Sequence, residues 1–396
     1  MTVNVNAPSA DAGADTSFCE GGSVQINASV SNGSIDWSPG LSLNDSTVSN
    51  PIASPAITTD YQLTITDANG CSFSDTIQIT VDPIITISIS NDTAICEGDC
   101  APLLASGDTS YAWNTSSSLS DTAVANPIAC PVATETFFVT GTAGLCTDNA
   151  QVTVTVNPSP TIDAGLDQTI CIGDTVQLGA SGGLFYLWTP ADSLSATTTA
   201  DPFAWPTDST QYIVTGTDAN GCSSSDTVNV FVNPLPAVDA GPASSICLGD
   251  TAQLDASGAD SYSWSPSGSL SNAVISNPLA FPTVNTTYTV VATDTNGCVS
   301  TDSVVVTINS LPTASVSSDT TICVGDTATL VASGGTTYQW SPDSTLSNAF
   351  IAAPSAFPTL SATYQVIVSN ANNCSDTTQV TVTVNPSPTI DAGLDQ

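Results

Sequence analysis

The chain has 396 residues, with 36 Asp plus Glu, no Lys, Arg or His, and a net charge of −36. No side chain can neutralise a phosphate, which excludes the ordinary electrostatic route to nucleic acid and to anionic membrane surfaces. Imidazole bases and ligands, lysine Schiff bases and side-chain salt bridges are excluded as well. The apolar share of 41% is too high for a disordered acidic chain. No stretch approaches the ~20 apolar residues of a membrane span.

Cysteine and tryptophan recur at fixed intervals. Cys19, Cys96, Cys171, Cys247 and Cys323 are 75 to 77 residues apart. Trp37, Trp113, Trp188, Trp264 and Trp340 follow them by 17 or 18 residues, and Cys71, Cys146, Cys222, Cys298 and Cys374 by 50 to 52. Self-similarity at one period means an array of like modules. Residues 1–7 (TVNVNA after the first Met) read as the last strand of a preceding repeat. Five repeats follow at 8–82, 83–157, 158–233, 234–309 and 310–385, and 386–396 reads as the first strand of another. Residues 385–396 (NPSPTIDAGLDQ) are identical to 157–168.

Within the fourth repeat, 234–241 opens as a proline-marked extended strand and 246–250 (ICLGD) reads as a turn. Residues 251–256, 262–264, 270–273, 278–282, 288–293 and 303–308 then alternate as six short strands. Asp-Thr-Asn-Gly at 294–297 is a hairpin turn, because Asn-Gly accepts the positive φ such turns need. Seven short strands with period-2 patterning and no helical period argue a β-sandwich of immunoglobulin type. The five recurring tryptophans are core residues between the sheets. Tyr61, Tyr212, Tyr288 and Tyr364 resemble tyrosine corners, and Trp205 is an extra aromatic peculiar to repeat 3.

Small modules with small cores are often stapled by disulfides in oxidising compartments, which places the chain outside the cell. Two pairings compete. One joins the cysteines within each repeat, such as Cys19 with Cys71. The other joins neighbours: Cys19 with Cys146, Cys96 with Cys222, Cys171 with Cys298 and Cys247 with Cys374. It leaves Cys71 and Cys323 to neighbouring modules. In an alternating sandwich the two cysteines of one repeat lie at opposite ends, roughly 20–25 Å apart, whereas a disulfide needs Cα atoms about 4.4–6.8 Å apart. A head-to-tail array brings the ends of neighbours together, and this favours the second pairing. Cys100 and Cys130, present only in repeat 2, flank adjacent antiparallel strands and can bond directly.

Aspartates recur at the same ends: Asp99, Asp174, Asp250 and Asp326 after the first cysteine, and Asp67, Asp218 and Asp294 before the second. They form turns readily. Converging across a junction, they would also suit Ca²⁺, the one candidate cofactor; none is required.

The pattern DAGxDQTICxGD…LxASG…YxWSP…SLSN…NPxAxPT…TYxVxxTDxNGC…DTVxVxVN resembles the PKD-like, immunoglobulin-like repeats of Bacteroidota surface adhesins exported by the type 9 system. Repeat 2 departs from it, lacking the Asp-Ala-Gly opening and the Asn-Gly turn. The resemblance implies an all-β tandem array of five seven-stranded sandwiches, extended head to tail as a cell-surface stalk. It also implies O-glycosylation at Asp-Ser/Thr sites: Ser46, Thr76, Thr93, Thr122, Thr175, Ser193, Ser209, Thr227, Thr251, Ser303, Thr320, Thr327, Ser344 and Thr377. The reading is of a structural extracellular filament or adhesin stalk, not an enzyme. The alternative is a binding module that recognises glycan or protein through the loops of a divergent repeat. Expected partners are further repeats of the same array, surface glycans or other cells. Nucleic acid and membrane insertion are not expected.

Overall fold

The computed structural model describes residues 7–388. The terminal strands expected over 1–7 and 386–396 lie outside these, apart from Ala7 and residues 386–388. The protein is an all-β tandem array of immunoglobulin-like sandwiches. The chain gathers into two compact units. One contains the chain to Leu166 with Gln177–Ala204 and Gln211–Val228; the other contains Asp167–Val176, Trp205–Thr210 and the chain from Asn229.

Repeat 4 shows how the sequence builds the sandwich. Its strands are Ser244–Cys247 (the lead strand), Ala252–Gln253, Ser261–Ser265 (the tryptophan strand), Leu279–Ala280, and the hairpin of Thr286–Thr293 with Val299–Asn309 (the last strand). The larger sheet runs in the order lead, last, first hairpin and tryptophan strand. The smaller one pairs Ala252–Gln253 with Leu279–Ala280 and continues through the bridges Asp239 to Ser257 and Leu270 to Ala280. Thr286–Thr293 (TTYTVVAT) is rich in β-branched residues, and alternate side chains are buried, as a half-buried strand requires.

Trp264 and Tyr288 meet Leu254, Val290, Val304 and Val306 between the sheets. The indole nitrogen of Trp264 donates to the Ile275 carbonyl at 3.0 Å, so the core gains a large apolar body without an orphaned donor. Trp37, Trp113, Trp188 and Trp340 make the same bond to the residue eleven positions on. Repeats 1, 2 and 5 have equivalent cores. In repeat 3, Gln168–Cys171 pairs parallel with the end of Ser223–Asn233, and Phe185–Thr189 pairs antiparallel with Thr210–Thr217.

The strands differ from the sequence reading in several places. The opening strand expected over 234–241 reduces to the single bridge at Asp239, and those expected over 251–256 and 278–282 shorten to Ala252–Gln253 and Leu279–Ala280. Residues 246–247, read as part of a turn, end the lead strand, which runs parallel to the last strand with Ile246 opposite Ile308 and Cys247 opposite Asn309. The strand expected over 270–273 reduces to the single bridge at Leu270. The last strand, expected over 303–308, begins at Val299, so the hairpin is longer than its apolar run. Among the described residues no helix is long and apolar enough to cross a membrane.

Candidate functional site

The lead strand decides where the first cysteine sits. Because it runs parallel to the last strand, its final residue lies level with the end of its own repeat: Cys19 opposite Asp82, Cys96 opposite Asn157, Cys171 opposite Asn233 and Cys323 opposite Asn385. The next residue fixes this exit. Glu20 N–H donates to Asp82 O at 2.8 Å and Leu248 N–H to Asn309 O at 3.0 Å. A two-residue turn then reverses the chain, with Asp250 N–H donating to Cys247 O at 2.9 Å.

The second cysteine follows the hairpin turn. In repeat 4 the Asp294 carboxylate accepts from Asn296 N–H at 2.9 Å and from Cys298 N–H at 2.8 Å. Asp67 does the same for Asn69 and Cys71, and Asp218 for Asn220 and Cys222. Asn370 does so for Asn372 and Cys374. Gly297, at φ +82°, closes the turn. The cysteine amide is thus held by a side chain four residues upstream, which presets its Cβ direction.

Exit and hairpin turn meet at each junction between consecutive repeats. Cys19 is bonded to Cys146, Cys96 to Cys222, Cys171 to Cys298 and Cys247 to Cys374, with Cα–Cα distances of 5.6, 5.4, 5.5 and 5.5 Å. Each is comfortable for a disulfide. Leu145 N–H donates to the Asp82 carboxylate at 2.9 Å, and Asn370 Nδ2 donates to Ser310 O at 2.8 Å. Cys222, Cys298 and Cys374 are fully buried and Cys146 nearly so. Cys71, at the equivalent turn of repeat 1, is exposed and free, as is Cys323 at the end of the last lead strand. Cys100 and Cys130 bond across the Ala101 to Ala129 pair at a Cα–Cα distance of 4.3 Å.

Five of the seven candidate calcium carboxylates bond backbone amides of their own turns. Asp67, Asp218 and Asp294 spend an oxygen on backbone amides of their own turn. Asp174 and Asp326 accept from Cys171 and Cys323 N–H at 3.4 and 3.2 Å. Asp99 and Asp250 sit in the same turn, with their amides bonded to Cys96 O and Cys247 O. Among the described residues no three Asp, Glu or Cys side chains gather as a group able to hold a metal ion.

A further set of aspartates was not singled out from the sequence. Asp75, Asp148, Asp226, Asp302 and Asp376, all on last strands, accept from backbone N–H groups about 62 residues upstream: Ala12, Ile87, Ala164, Ala240 and Ala314. Asp302 is held below the usual carboxylate range, first by the Ala240 amide and then by that of Ser303. Asp226 and Asp148 are held likewise, by Ala164 and Ile87 first. Four of the five precede a Ser or Thr read as a glycan acceptor (Thr76, Thr227, Ser303 and Thr377). Their recurrence at one register was the available signal.

The fourteen Ser and Thr acceptor candidates are all exposed or half-buried. The tyrosine reading shifts by one strand. Tyr288 and Tyr364 are buried and bond Ser269 and Thr345 nineteen residues upstream at 2.6 Å; Tyr61 pairs with Ser42 in the same way. Tyr212 donates instead to Asp192 O at 3.3 Å, and burial, with the Asp192 charge second, raises its phenol. The corner-like bond to backbone three residues upstream belongs to the tryptophan-strand tyrosines, such as Tyr262 to Ala259 O at 2.7 Å. Trp205 is 42% exposed, close to the 46% and 44% of its counterparts Phe281 and Phe357, so its position is an ordinary one for the repeat.

Serial immunoglobulin-like sandwiches with covalently closed junctions define the class of protein. Residues 310–386 match the model of an Ig-like domain family described as CHU_C associated. No curated protein matches the chain. Among solved structures, a three-domain I-band fragment of titin is 10% identical, with 58% of this chain and 99% of that chain covered and a TM-score of 0.37. The eight N-terminal Ig domains of Down Syndrome Cell Adhesion Molecule are 13% identical, with 96% and 61% covered and a TM-score of 0.31. Sidekick-1 immunoglobulin domains 1–5 are 13% identical, with 96% and 100% covered and a TM-score of 0.25. Five disulfides on an Ig-like fold mark an extracellular or secreted protein.

Proposed function

We propose that the chain is a structural segment of an extracellular filament or adhesin stalk, whose repeats serve reach and durability rather than reaction. The observation that carries this reading is that the lead-strand cysteine pairs forward into the next repeat at four successive junctions. A disulfide there ties the exit of one repeat to the hairpin of its neighbour, so the linker between them bears little of any pull. Cys71 and Cys323 occupy the two halves of the same junction, and each fits a cysteine of a further module. The lack of Lys and Arg leaves trypsin-like proteases no cleavage site. Glycan on some of the accessible Ser and Thr residues would shield sheet edges, a liability of all-β arrays.

Electron microscopy of native material tests the proposal. A long, thin fibre beaded at the repeat period supports it, and compact particles overturn it.

A further inference from the structure

The five repeats are controls for one another, and one surface stands out against them. The tryptophan strand is the outermost strand of its sheet, and its first and third residues face outward in every repeat. Those residues are Ser34 and Asp36, Ser110 and Ala112, Ser261 and Ser263, and Thr337 and Gln339 in repeats 1, 2, 4 and 5. In repeat 3 they are Phe185 and Leu187, 66% and 52% exposed. Ile213, 40% exposed, stands opposite Thr189 and diagonal to Leu187 on the same face. Neither 183–190 nor 211–217 contains a charged residue. Edge strands are normally blunted by polar or charged side chains, and a contiguous exposed apolar patch marks a contact site.

We propose that this face is a self-association site, where repeat 3 of one chain meets repeat 3 of a second copy about a two-fold axis. Two copies that each carry −36 and no cation can approach closely only where both lack carboxylates, and this face meets that condition. A cationic partner would be steered to the acidic surface instead. An uncharged apolar patch is complementary to itself, as an isologous contact requires. The inference adds lateral pairing to the stalk reading and does not depend on how the junction cysteines are bonded.

Sedimentation velocity of the whole chain over a concentration series, at low and high NaCl, tests it. The expected result is a reversible dimer that tightens with salt, because screening relieves like-charge repulsion. Replacing Phe185→Ser and Leu187→Ser, the residues of repeat 4, weakens it by at least about tenfold. The single change Leu187→Gln, the residue of repeat 5, weakens it in the same direction. Val291→Ser, on the equivalent face of repeat 4, leaves it unchanged. A chain that stays monomeric at every concentration overturns the proposal. So does a dimer indifferent to both repeat 3 variants when these keep the wild-type melting curve, or one that weakens with salt. A monomer that instead retains neutral oligosaccharides overturns it in favour of glycan binding.

Discussion

Asp302 shows what a carboxylate does in a chain with no cations to pair with. It accepts the amide of Ala240, a fully buried residue, at 2.8 Å and so ties the start of its repeat to the last strand. Its folded-state pKa lies below the unfolded value of about 3.9. The sign follows from linkage: the stabilisation is present above the unfolded pKa and is lost as pH falls through the folded one. Denaturant midpoints measured between about pH 7 and pH 3 should therefore drop at the acid end, and Asp302→Ala should lower the neutral midpoint and reduce that drop. A midpoint that rises steadily into acid would mean that relief of self-repulsion outweighs these bonds. Trp264→Ala removes the central side chain of repeat 4 and the bond to Ile275, and should cost about 3–5 kcal/mol by chemical denaturation. Gly258, at φ +93°, lies where a Cβ would overlap the Ala237 carbonyl oxygen, so Gly258→Ala should destabilise the same repeat.

The turns at the repeat ends are stabilised by Asp side chains bonded to their own backbone. Saturating EDTA should therefore leave the thermal midpoint unchanged in calorimetry, and a fall of several degrees would show that calcium contributes. The cysteine period, the tryptophan positions and the apolar runs of the hairpin strands could be read from the sequence because each is a pattern repeated five times. The lead strand could not. Ser244–Cys247 is four residues long, and its partner, Val306–Asn309, is 62 residues away in a parallel ladder that no local alternation announces. The aspartate clamps escaped for a related reason. Asp302-Ser303 reads locally as a modification motif, and nothing near it in sequence announces the amide of Ala240 that the fold brings to Asp302. At Leu270 the expected strand shrank because only one residue of that segment bridges to Ala280.

Across the whole molecule, the parallel lead strand and the hairpin turn each place a cysteine, and consecutive repeats bring the two within bonding distance. Replacing both Cys247→Ser and Cys374→Ser should lower stability by about 2–4 kcal/mol and make repeats 4 and 5 unfold as separate transitions in calorimetry. The most direct test is non-reducing peptide mapping after cleavage at acidic residues, since trypsin has no site here. Peptides containing Cys171 and Cys298 should emerge joined, as should those containing Cys247 and Cys374. Recovery of Cys171 linked to Cys222, within a single repeat, would contradict the account.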